Sequence, residues 1–226
     1  LHDLMRKIAR ISCEPIEKLR IQARSLLSSL NDLVVTDSMT ETISQSFFSA
    51  ITSSRNANVE YYDIMLGYVV SLAGNSDTVT MNGASYGLLE YIETSEENDK
   101  IKLFDSMLGM LQVPLAGIKQ LNRREKLILK ATLRTFTILF DFKAPFPLNF
   151  NYDRFYARCY NLHINTNDSQ RVTYAVKIFR DLIISGVTAR ENAAKRLSFL
   201  CCNHKEPRIR KASSEAIFEI IEDRGA

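Results

Sequence analysis

Cys159 and His163 stand four residues apart, and Cys201 and His204 stand three apart. On helices, each pair would share a face. Two thiolates and two imidazoles form a zinc-competent donor set. The spacing matches no zinc knuckle, however. Cys159 and Cys201 also fall on apolar stripes, where a cysteine behaves as a small hydrophobe. Packing is the preferred reading, and no metal or other cofactor is expected. Cys201 and Cys202 would point about 100° apart on a helix, so they do not chelate as a pair.

Other catalytic signatures are missing. The chain has no G-x-x-x-x-G-K-[ST], no G-x-G-x-x-G after a strand and no G-x-S-x-G. His2, His163 and His204 are far apart in sequence, and the carboxylates are expected in polar surroundings and at helix caps. No catalytic residue is assigned, and an enzyme is not expected.

Cations are the remaining candidates for function. Lys195, Arg196, Lys205, Arg208, Arg210 and Lys211 gather around one expected interhelical turn. Arg123, Arg124, Lys126 and Lys130 form a second cluster. Either could dock an acidic partner. The plainer alternative is a solvated face, with Arg210 pinned between structural units. Nucleic acid is not expected, because net charge is only +3 and aromatics are not interleaved with the cations in sequence. The charge is unevenly spread: residues 36–106 hold eleven acidic and three basic side chains, whereas 107–146 hold seven basic and two acidic.

The elements that must carry these residues are all helical by pattern. Val187–Glu222 is the clearest stretch. Ala193, Ala194, Leu197, Leu200 and Cys201 mark one apolar stripe, and Ile209, Ala212, Ala216, Ile217 and Ile220 mark another. A break at 203–207 separates them, and Pro207 suits a helix's first turn. Each stripe is too narrow to make a core alone, so such pairs must stack. Upstream, further helices are expected over Leu1–Arg10, Pro15–Leu30, Met39–Thr52, Asn58–Leu72 and Asp77–Glu93. Another follows Ser95 as its cap, with Ile101, Phe104, Leu108 and Leu111 inside and Pro114 at its end. A long helix opens at an Asn122–Glu125 capping box and uses Ile128, Ala131, Thr135, Ile138, Leu139 and Phe142.

The Lys143–Pro147 segment must be extended, because two prolines exclude helix there; a kink at 143–149 is the best division between sub-bundles. Two more stripes follow. The first is Tyr152, Phe155, Tyr156, Cys159 and Leu162; the second is Val172, Val176, Phe179 and Ile183, with a cap before it in 165–168 and Gly186 after it. The expected fold is all-α: about eleven helices over residues 1–226, forming an α-solenoid of about five pairs of HEAT or armadillo type. No stretch is apolar for long enough to span a bilayer. Four cysteines in 226 residues make no disulfide framework, so a reducing compartment is expected. The chain opens at Leu1 without Met and reads as helix almost at once, so a fragment of a longer protein is expected.

Two stretches carry a family resemblance. Pro207–Ile217, as Pro-x-Ile-Arg-x-Ala-x-x-x-Ala-Ile, looks like the second helix of a HEAT repeat. Met65–Gly74, followed by Leu88-Leu89-Glu90-Tyr91-Ile92, resembles a segment of the tubulin-folding cofactor D family. Ala193–Ile217 resembles that family's last repeat, and the order and separation fit its C-terminal region. The likeness covers about a third of the chain; Ala73 stands where the family prefers Gly, and the basic residues after the turn are replaced by Met81-Asn82. The resemblance implies a cytoplasmic, microtubule-associated chaperone that binds β-tubulin during αβ-dimer assembly and recycling. It implies cofactors E and C and an Arf-like small GTPase as partners, with GTPase stimulation belonging only to the assembled complex. The alternative from the fold alone is a HEAT adaptor in transport or coat assembly.

Overall fold

A computed structural model describes residues 18–19, 22, 25–26, 88–89, 91–111, 121, 123–164 and 166–225. Among them every regular element is a helix and no strand occurs. The helices are α1 (Glu97–Met110), α2 (Arg123–Asp141), α3 (Tyr152–Ile164), α4 (Ser169–Ile184), α5 (Arg190–Asn203) and α6 (Pro207–Gly225). No described helix is long and apolar enough to cross a membrane. The chain groups into two compact units, one of residues 1–110 with 142–148, the other of 111–141 with 149–226.

In the first unit, Leu88, Tyr91 and Ile92 are helical and buried, as their spacing predicts. Ser95 is not the cap expected of it. Its hydroxyl donates backward to the carbonyl of Tyr91 at 2.5 Å, and the carbonyl of Glu96 accepts the first backbone bonds of α1. The acidic Glu97 and Asp99 suit the positive end of that helix. α1 buries Leu103, Phe104, Met107 and Leu108, a wider face than the stripe predicted. Segment 142–148 packs against it: Phe146 lies 4.8 Å from Phe104, and the amide of Leu148 donates to Glu97 Oε1 at 2.6 Å. Residues 144–147 are non-helical, as the two prolines require. Leu19 and Leu26 lie on the helix predicted for Pro15–Leu30, but they are 39% and 55% exposed. A stripe's spacing fixes which side of a helix is apolar and says nothing of what covers it. The rest of that helix, the other helices expected before residue 88, the stretch Met65–Gly74, Pro114 and Asn122 lie outside the described residues.

The second unit is built around α4. Val172, Ala175, Val176, Ile178, Phe179, Leu182 and Ile183 are all buried, so this helix is apolar on more than one side. It packs against α2, α3, α5 and α6, and α5 packs against α6. Contacts from α2 to α4 to α6 make one layer. Bonds between α3 and α5 link the other, where Tyr156 Oη donates to the carbonyl of Asn192 at 3.1 Å. This packing of adjacent helices is compatible with an α-solenoid. Buried Ala193 and Ala216, with Ser213, provide the small surfaces that let the last pair close up.

Local signals set the helix ends. Asp168 caps α4, its carboxylate accepting from the amide of Arg171 at 3.3 Å. Lys130 of α2 reaches the same carboxylate at 2.8 Å. Partial burial works against that charge, but Lys130 and the Arg171 amide hold the carboxyl below its ordinary range. Gly186, at φ +66°, takes the left-handed position after α4 that glycine favours. Pro207 opens α6. On α2, Ala131, Thr135 and Leu139 are buried as predicted, but Leu129, Leu133 and Phe136 are buried too. Phe142 falls beyond the helix and is half exposed, because α2 ends at Asp141.

Phe179 is fully buried, with the rings of Tyr156 and His163 at 5.4 and 5.2 Å. Its truncation to alanine is expected to cost about 3–5 kcal/mol in chemical denaturation. Ser213 is fully buried and its hydroxyl makes no hydrogen bond. Ser213→Ala is therefore expected to raise stability by about 1 kcal/mol in the same measurement.

Candidate functional site

His163 lies one turn beyond Cys159 on α3 and is buried. Its Nδ1 hydrogen-bonds to the backbone carbonyl of Cys159 at 3.0 Å. A carbonyl only accepts, so Nδ1 carries the proton and Nε2 is an acceptor. Arg196 of α5 donates its Nε–H to that Nε2 at 2.8 Å. Burial first, then the nearby charges of Arg196, His204 and Arg171, lower the imidazole pKa to about 4. Both ring nitrogens are thus engaged, and neither faces a second Cys–His pair. Burial pushes the Cys159 thiol well up, as befits a packed thiol. His204 uses Nδ1 to accept from the amide of Glu206 at 3.2 Å. Among the described residues no group of three or more His, Cys, Asp or Glu is arranged to hold a metal ion.

Two aromatic rings lie beside the Arg196 guanidinium as well. Its guanidinium carbon lies 5.0 Å from the Tyr160 ring and 4.8 Å from the Phe199 ring. Phe199 is one helical turn from Arg196 on α5, and Tyr160 comes from α3. Among the described residues, the two terminal nitrogens of this guanidinium have no hydrogen-bond or ion-pair partner. Aromatics are therefore interleaved with a cation here, contrary to the linear reading. The α3 C-terminus beneath draws further positive charge, as its dipole favours: Arg171 Nε donates to the carbonyl of Leu162 at 2.5 Å.

The other cations of the first cluster divide by what they do. Arg210 donates to the carbonyls of His204 and Lys205 at 2.7 and 3.2 Å, so it fastens its own turn rather than being pinned between units. Lys205 reaches Asn167 Oδ1 at 2.8 Å across to the α3–α4 turn. Lys211 approaches Glu215 at 3.7 Å on the same helix. Lys195 and Arg208 are exposed and contact no described charge or acceptor. In the second cluster, Arg123 and Arg124 fall in the first turn of α2 and Lys126 is exposed. Lys130 is occupied by Asp168 and by Gln170 Oε1 at 3.3 Å.

One carboxylate departs from the expectation that all sit in polar surroundings. Asp181 on α4 is 6% exposed. Its Oδ1 accepts from Arg180 Nε at 2.7 Å, while Oδ2 has no partner. Arg180 also reaches Asp141 on α2 at 3.1 Å and Glu219 on α6 at 2.7 Å, so one guanidinium ties three helices together. Burial pushes the Asp181 carboxyl up to about 6; Arg180 opposes that shift and Asp141 adds to it. No spacing rule could have found this residue, because its polar partner is the adjacent Arg180 and its burial comes from helices distant in sequence.

No protein-family model matches this chain, and no match was found among curated protein sequences.

Asp181 and His163 act oppositely on stability with pH. The folded state holds a proton on Asp181 more tightly than the unfolded chain does, so that contribution is complete below pH about 4 and lost as pH rises through 6. His163 resists protonation when folded, so its contribution is lost as pH falls from about 6.5 to 4. At about 1.4 kcal/mol per pKa unit, each amounts to about 3 kcal/mol. Asp181→Asn removes one side of the balance. Urea denaturation at pH 7 and pH 4 is expected to show the stability difference between variant and wild type moving by about 3 kcal/mol in the wild type's favour at pH 4. An unchanged difference would show that Asp181 titrates normally.

Proposed function

We propose that this chain is a docking module of a HEAT-type helical-repeat protein, working as part of a tubulin-folding chaperone of the cofactor D class. It acts by binding, with β-tubulin as the principal client and cofactors E and C and an Arf-like small GTPase as companions. The observation that carries this reading is the cationic surface around the α5–α6 turn. Lys195 and Arg208 are free of partners among the described residues, and Arg196 is fixed with unpaired terminal nitrogens. Arg180 and Arg210 are engaged within the fold, whereas Lys195 and Arg208 remain available to a partner. Tubulin is acidic, so the charge is complementary. The pairwise packing of α3 with α4 and α5 with α6 supports the repeat type, and the sequence resemblance supports the client.

The immobilised 226-residue chain should retain αβ-tubulin at micromolar concentration. Reversing Lys195 and Arg208 to Glu is expected to weaken retention about tenfold, with the loss shrinking as salt is raised. Retention of neither tubulin nor an Arf-like GTPase by the folded chain would overturn the reading.

A further inference from the structure

We propose that Arg196 is the specificity anchor of a site for an acidic peptide segment, gripping one carboxylate side chain through its two terminal nitrogens. The partner class rests on the docking function proposed above; the role of Arg196 rests on its own geometry.

A guanidinium has five N–H donors in a planar fork. In Arg196 the Nε–H is spent on His163 Nε2 at 2.8 Å, and rings flank the group at 4.8 and 5.0 Å. The buried imidazole cannot turn away without losing its bond to the Cys159 carbonyl. The outward edge, Nη1 and Nη2, is left without a described partner. A planar edge held in this way matches the two oxygens of one carboxylate, and the side-chain ordering that such a bond ordinarily costs has been met in advance. Exposed Phe199 offers apolar contact beside the charge, and exposed Lys195 adds long-range attraction.

Phosphate would also accept from this edge, but a nucleic-acid strand needs a row of cations along its backbone. Here acidic residues break the row. Glu191 lies one turn before Lys195 on α5, and Glu206 follows Lys205 directly. Of the remaining cations, Arg210 and Lys205 are committed to neighbouring carbonyl oxygens. One oriented fork with a few mobile charges suits a short acidic peptide.

The test is binding of a fluorescein-labelled hexaglutamate peptide to the 226-residue chain by fluorescence anisotropy. Arg196→Lys keeps the charge and removes the fork; it is expected to weaken binding about tenfold, close to the loss from Arg196→Ala. Lys195→Ala is expected to cost only about twofold. Circular dichroism of each variant establishes that it is folded. If Arg196→Lys is folded and binds like wild type, charge alone suffices and the anchor role is wrong. The same holds if folded wild type fails to bind hexaglutamate. A six-nucleotide single strand that binds tighter than hexaglutamate, and does so equally in Arg196→Lys, would replace the peptide with nucleic acid and also overturn the proposal. Tubulin retention measured on the same variants separates the two ideas: retention undiminished by Arg196→Lys sinks the anchor and leaves the docking function standing.

Discussion

The second unit depends on one constraint: α4 is apolar on more than one side and cannot be left wet. Val172, Val176, Ile178, Phe179 and Leu182 point in several directions from the same helix. At about 25 cal/mol per Å² of apolar surface, exposing any one side would be prohibitive in a domain of this size. Neighbours on several sides follow, and α2, α3, α5 and α6 supply them. The last two helices, α5 and α6, then need only one apolar stripe each. That division of labour explains why α5 and α6 read as thin amphipathic helices, while α4 is largely apolar wherever it meets another helix.

Close packing around α4 leaves its polar residues little choice. Arg180 and Asp181 are adjacent on the helix, and both are drawn toward the interior. A lone buried charge would be strongly unfavourable, so partners are recruited from the flanking helices: Asp141 from α2 and Glu219 from α6. The pairing is incomplete on one side. Asp181 keeps an oxygen without a hydrogen bond, and its raised pKa is the electrostatic record of that shortfall. On the opposite layer, His163 meets the same demand differently. It stays neutral and accepts a hydrogen bond from an arginine rather than carrying charge itself.

Sequence reading reached whatever is governed by residues close along the chain. A cap within 165–168 (it is Asp168), Gly186 after α4, Pro207 opening α6 and the non-helical residues between Pro145 and Pro147 all follow from the backbone preferences of single residues. Buried Phe155, Cys159, Val176, Leu197 and Ile209 follow from period alone. The misses have a common cause. Ser95 is the exception, since its hydroxyl took the local carbonyl of Tyr91 instead of an amide ahead of it. Asp181 is buried by helices that lie far off in the chain. The Tyr160–Arg196 contact spans 36 residues, and although Arg196 and Phe199 stand at helical spacing, nothing local says that α3 will bring a second aromatic ring to Arg196. Partner contacts across layers are the information that a single sequence lacks.

The contrast between Arg180 and Arg196 bears on function. Both lie between helices of the same unit, and both are oriented by side chains from a neighbouring helix. Around Arg180 the fold supplies three carboxylates. Around Arg196 it supplies a neutral imidazole and two aromatic rings, which position the cation without neutralising it. A role in stability alone would be better served by an acidic partner, as on the other layer, because an engaged guanidinium contributes more than an unpaired one. Histidine at this position orients the guanidinium as glutamate would but, being neutral, leaves its charge available. Among the described residues Arg196 is held in place and left unneutralised, and that is the observation on which the proposed carboxylate site rests.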